Sequence, residues 1–123
     1  MVKTKRKADF ERELAALSAA FGERLVLRHR ELVTAGAELG AAADAGARKV
    51  ALRRVSALAH GLNGSAATFG YPELTVAAEA LEAACLSALE DAAGKAGTEE
   101  AGRLLAALID AVADAMERAA PAA

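Results

Sequence analysis

The apolar residues of this chain recur in alternating steps of three and four, and that spacing makes the α-helix the unit of its fold. The clearest run is Leu52, Val55, Ala59, Leu62, Ala66 and Phe69, one stripe down one helix. Similar stripes pass through Phe21, Leu25, Leu32 and Leu39, and through Leu74, Ala78, Leu81, Cys85 and Leu89. A last one joins Leu104, Leu105, Leu108, Val112, Ala115 and Met116. Strands lack their usual material, since aromatic residues make up only 3% of the chain. Much of the 54% apolar fraction is alanine, the best helix former, so the core must come from closely approaching helices. A chain of 123 residues has the size of one domain.

Capping signals divide the periodic stretches. Residues Ala8 to about Ala20 are amphipathic through Phe10, Leu14 and Leu17 and predict a short first helix. Phe21 to about Ala43 predicts the next, with Gly22 either interrupting the two or leaving one long helix. Asp44 suits the N-cap of a helix that runs to Phe69, and Gly70 suits a left-handed residue closing it. Pro72 and Glu73 suit the first turn of a helix that ends around Gly94. Thr98 is the expected cap of the last helix, with Glu99 and Glu100 in its first turn. Short connections make neighbouring helices antiparallel. The expected fold is therefore all-α, an antiparallel up-and-down four-helix bundle with an additional N-terminal helix. In this reading residues 1–7 form a basic, flexible tail, 8–119 a single bundle domain and 120–123 a frayed end.

Charge and cysteine usage narrow the function classes. Fifteen Lys and Arg against 17 Asp and Glu leave a net charge of −2, too balanced for a nucleic-acid-binding surface. Cys85 stands alone, so no intramolecular disulfide forms, which fits a reducing compartment. No apolar run approaches the ~20 residues that span a bilayer. No hydrophobic signal core follows the basic Lys3-Thr4-Lys5-Arg6-Lys7. A cytoplasmic protein without membrane contact is the expectation.

One histidine stands out. His60 lies one residue, about 100° of rotation, off the apolar stripe of its helix. Ser56, Asn63, Gly64 and Ala67 share its face. A glycine inside a helix costs about 1 kcal/mol relative to alanine. In an alanine-rich chain, Gly61 and Gly64 therefore suggest that something must come close to this imidazole, with Gly64 read as access and Gly61 as either access or a helix crossing. Nothing clears space around His29 in Leu27-Arg28-His29-Arg30, which reads as a solvated charged face. Ser65 reads as a helix hydroxyl bonding its own backbone. Glu79 and Glu82 read as outer-edge residues of their helix, with Glu82 assigned structure before chemistry. A di-metal carboxylate centre needs Glu-x-x-His pairs, but Val26 and Ala57 hold the third position before His29 and His60. No acidic cluster beside His60 could hold magnesium, and no Gly-rich phosphate loop could hold nucleotide.

The segment His60-Gly61-Leu62-Asn63-Gly64-Ser65-Ala66, followed by Gly70, Leu74 and Leu81-Glu82, resembles the histidine phosphotransfer (HPt) domains of bacterial multistep phosphorelays. Phe21, Arg24, Leu25, Arg28, Glu31 and Leu32 resemble that family's preceding helix, and the likeness covers roughly residues 10 to 118. One departure is Asn63, where the family usually carries lysine. The resemblance implies a phosphohistidine intermediate, with His60 accepting and donating a phosphoryl group from and to receiver-domain aspartates. Asn63 then contacts the phosphoryl group and Gly64 provides clearance. Ser56, Ala57, Gly61 and Ala67 form the partner surface, completed by side chains of the Phe21–Leu39 helix. The implied partners are a response-regulator receiver domain and a hybrid sensor kinase. The chain needs no cofactor of its own, because the receiver brings Mg²⁺, and it is expected to be a monomer. Sensor-kinase helices carry an acidic residue after their histidine. Gly61 there implies a carrier without autokinase activity, not an enzyme. Asn63 also keeps open a bundle that binds a receiver as a regulatory module without exchanging phosphate.

Overall fold

Four helices account for nearly all of the chain in the computed structural model, which describes residues 2–91 and 95–119. They are α1 (Val2–Ala41), α2 (Ala45–Phe69), α3 (Pro72–Glu90) and α4 (Lys95–Ala119). Each helix packs on its neighbours in the chain, and α1 closes the bundle against α4. The sequence stripes become the core. Phe21, Leu25, Leu32 and Leu39 of α1 meet Leu52, Val55, Ala59, Leu62 and Ala66 of α2, all buried. Leu74, Ala78, Leu81 and Cys85 of α3 and Leu105, Leu108, Val112 and Ala115 of α4 complete it. On α3 the stripe ends on buried Ala88, while Leu89 packs half-buried beside it.

The local signals act as the chemistry demands. Asp44 Oδ1 accepts the Ala47 backbone N–H at 2.7 Å and starts α2. Gly70 ends it at φ 78°, and the Tyr71 N–H donates to Ala66 O at 3.0 Å. Pro72 opens α3 without wasting a donor, and Glu73 sits in the first turn. At this corner Phe21 stacks on Phe69, with centroids 4.7 Å apart, and lies 5.2 Å from the Tyr71 ring. Arg118 of α4 covers Tyr71 and pairs with Glu73, tying the end of α4 to the start of α3.

Three features differ from the sequence reading. No separate N-terminal helix forms among the described residues, because α1 continues through Gly22. A Cβ at Gly22 would stand 3.3 Å from Ala119 Cβ, so this glycine serves the close approach of α1 and α4. Helix α1 also includes Val2–Lys7, and its first apolar residues, Phe10, Leu14 and Leu17, stay exposed. Thr98 is not the cap of α4, which already begins at Lys95. Lys95 and Ala96 are good helix formers, and Gly97 is held there because a Cβ would meet Ala88 Cβ at 3.2 Å. The expected end of α3 at Gly94 and the frayed 120–123 segment lie outside the described residues. No helix among the described residues is long and apolar enough to cross a membrane.

Candidate functional site

His60 is carried on the side of α2 that the core does not use. Buried Leu58, Ala59 and Leu62 fix the rotation of the helix and leave the imidazole 78% exposed. The ring is nevertheless held. Its Nδ1 lies 2.8 Å from Oε2 and 3.4 Å from Oε1 of Glu82, which projects from α3. An ionised carboxylate can only accept, so Nδ1 carries the proton and donates it to Glu82. Nε2 makes no hydrogen bond among the described residues and is left with its lone pair in the ring plane. In this tautomer the exposed nitrogen is the nucleophilic one.

Glu82 was read from sequence as an outer-edge, structural residue; in the structure it meets His60. Three-quarters of its side chain is covered, against the open position of Glu79. No spacing rule within one helix could have revealed the pair, because the two residues meet across the α2–α3 seam. The only signal was the Leu81-Glu82 dipeptide of the family resemblance.

Helical side chains lean toward the N-terminus of their helix, so the ring overlies the turn before it. There Ser56, Ala57 and His60 join Glu82, Leu86 and Leu89 of α3 in an open depression that also includes Arg53. Arg53 and Leu86 were not singled out from the sequence, and Leu89 was read only as a core residue. Exposed Gly64 and Ala67, and half-buried Asn63, lie on the other side of the ring and do not line the depression. Helix α1 approaches the site too, for Arg28 Nη2 lies 3.7 Å from where a Gly61 Cβ would be. Arg28 itself pairs with Glu31 at 3.4 Å.

Some helical glycines are pressed by a neighbouring helix and others stand in open space, the latter including Gly40 and Gly102 away from His60. Gly22, Gly36 and Gly97 sit where a Cβ would press on a neighbouring helix at 3.3 Å or less. A Cβ on Gly64 would touch nothing within 4 Å, and one on Gly61 only the flexible end of Arg28. Packing inside the bundle therefore explains the first set and does not explain Gly61 or Gly64. Both border the exposed imidazole.

The other reactive groups are accounted for. Ser65 Oγ donates to Gly61 O at 3.4 Å and Thr68 Oγ1 to Gly64 O at 3.2 Å, so both hydroxyls bond their own helix. His29 is half-buried on α1. Cys85 is fully buried one turn from Glu82, and burial, reinforced by the Glu82 charge, pushes its thiol up to about 11. It stays protonated at neutral pH and is no nucleophile. Among the described residues no group of three or more His, Cys, Asp or Glu side chains could hold a metal ion.

Comparison with curated proteins and with solved structures finds no match. The sequence model of the Hpt domain, by contrast, matches residues 8–115, which takes in most of α1 and α4, all of α2 and α3 and the whole His60 site. By that match, on a helical bundle that presents a single imidazole to solvent, the chain belongs to the Hpt domain family.

Proposed function

We propose that this protein is a phosphorelay intermediate in which His60 carries the phosphoryl group on Nε2. Domains of the family are phosphotransfer carriers in histidine–aspartate phosphorelays and interact with receiver domains and kinases. The observation that carries the assignment to His60 is the Nδ1–Glu82 contact at 2.8 Å beside an open Nε2. In the accepting step the Nε2 lone pair forms a bond to the phosphorus of a receiver's aspartyl phosphate. The bond from phosphorus to the carboxylate oxygen breaks, and its electron pair leaves with the carboxylate. The ring becomes cationic, and Glu82 opposes that charge through the proton held on Nδ1. In the donating step a second aspartate attacks phosphorus and Nε2 leaves with its electron pair restored.

Mg²⁺ at the receiver neutralises charge on the equatorial oxygens; on our reading the partner supplies it and this chain needs no cofactor. The docking surface comprises Ser56, Ala57, Gly61, Asn63, Gly64 and Ala67, extended by Leu86 and by Arg28 of α1. A response-regulator receiver and the receiver of a hybrid sensor kinase are the proposed partners, met by a monomer in the cytoplasm. Gly61 after the histidine supplies no base, which supports a carrier without autokinase activity. The helix pairings read as an antiparallel up-and-down bundle, since Phe21 meets Phe69 while Glu38 pairs with Arg54 at 3.8 Å.

Asn63 favours one second reading, a bundle that binds a receiver without exchanging phosphate. Replacing a lysine there loses an exposed charge pair of about 0–1 kcal/mol and leaves a neutral donor of about 0.5–1.5 kcal/mol. Those magnitudes alter rates and do not abolish acceptance. Incubation with a receiver charged by acetyl phosphate separates the two readings. The relay predicts an acid-labile, alkali-stable label on the wild type and none on a folded His60→Gln variant. A receiver that binds tightly while no label passes to the protein supports the inert module.

A further inference from the structure

A phosphoryl group on Nε2 brings about two negative charges to the surface of α2, and Asn63 offers them no cation. We propose that Arg53 is the residue that contacts this phosphoryl group, an inference that rests on His60 being the acceptor. Arg53 lies two turns before His60, within about 20° of it on the helix face and about 10 Å along the axis. Both side chains lean toward the helix N-terminus, so the long, flexible Arg53 side chain must fold back along α2 to reach the ring. Both line the same depression, between α2 and the Glu82–Leu89 part of α3.

The neighbouring arginines are engaged elsewhere. Arg54 pairs with Glu38 of α1 at 3.8 Å, and Arg28 with Glu31 at 3.4 Å. Arg53 makes no ion pair among the described residues and is exposed, so its guanidinium is at liberty to swing over Ser56 and Ala57. Neither of those small side chains obstructs the path. Glu82 is the acidic group lining this depression, and it is turned to Nδ1. A guanidinium presents several N–H donors in one plane and suits the oxygens of a phosphoryl group. Arg53 therefore binds the transferred group from the side opposite Asn63 and Gly64, at the edge of the docking surface that Ser56, Ala57 and Leu86 share.

The test charges the protein with potassium phosphoramidate, a small donor that phosphorylates imidazole nitrogen with release of ammonia and needs no partner protein. A ³¹P shift titration then reads the second ionisation of the bound phosphoryl group. A cation in contact lowers that pKa, and an exposed pair supports a change of a few tenths of a unit. Arg53→Gln should raise the pKa by that amount and Arg53→Lys should largely keep the wild-type value. Asn63→Lys in the Arg53→Gln background should lower it again, which shows that the titration senses a cation near the ring. Identical titrations of wild type and Arg53→Gln, with Asn63→Lys still shifting the curve, overturn the role of Arg53 and leave His60 as acceptor. Absence of any phosphohistidine on the wild-type chain overturns both.

Discussion

An ionised carboxylate has no proton to give, so the contact between Glu82 and His60 Nδ1 sets the tautomer as well as the ring orientation. In the proposed mechanism such a contact matters most when the ring turns cationic, where a charge-assisted bond is stronger than a neutral one. The Glu82→Ala variant should therefore slow phosphoryl transfer from a charged receiver by roughly three- to thirtyfold, with little change in melting temperature. Initial transfer rates measure it, and a rate equal to wild type would remove Glu82 from the mechanism. Below it, Cys85 has a thiol raised from 9.0 to about 11, by burial first and the Glu82 charge second. The unfolded chain ionises this thiol near pH 9.0 and the folded chain near 11. Stability from this group is thus intact below pH 9 and falls by up to about 2 kcal/mol as pH rises toward 11. Urea midpoints at pH 8 and 10.5 should show the fall in wild type and a smaller one in Cys85→Ala.

At the scale of the helix, the same residue type does opposite jobs. Gly64 has open space around it, so Gly64→Ala should raise stability by up to about 1 kcal/mol through helix propensity alone. Gly97 faces Ala88 Cβ at 3.2 Å and Ala88 Cα at 3.3 Å, so Gly97→Ala forces α3 and α4 apart and should lower the melting temperature. Gly64→Leu should fold and yet transfer phosphate poorly, because its side chain stands where the partner approaches. Thermal melts and transfer assays on the three variants check the pattern, and normal transfer by Gly64→Leu would refute the clearance. These cases also mark what a sequence can tell. Asp44, Gly70 and Pro72 were legible because a cap or a left-handed turn involves only residues a few positions away. The continuity of α1 through Gly22 was not, since what this glycine faces, Ala119, lies far away in the sequence. Thr98 misled for the same reason: the packing of Gly97 on Ala88 extends α4 past the local cap signal. The His60 face was legible from periodicity, whereas Glu82 and Arg53 depended on how α2 and α3 lie against each other.

Taken as one molecule, the bundle holds the exposed imidazole of His60 on α2 against Glu82 of α3. The packed rings of Phe21, Phe69 and Tyr71 and the Arg118–Glu73 pair lock the corner where α2 turns into α3. That lock keeps α2 and α3 in the alignment that brings Glu82 to His60. The first part of α1 does not share this work, because Phe10, Leu14 and Leu17 are 65%, 49% and 54% exposed. A chain beginning at Glu13 should keep both the melting temperature and the phosphate acceptance of the full chain, measured side by side. The account as a whole stands on one nitrogen atom. A long-range ¹H–¹⁵N correlation spectrum of the phosphorylated protein identifies which ring atom of which histidine bears the group. The prediction is a single phosphohistidine at residue 60, linked through Nε2, with Nδ1 still protonated. A phosphoryl group on Nδ1, on His29, or on no histidine at all would contradict it.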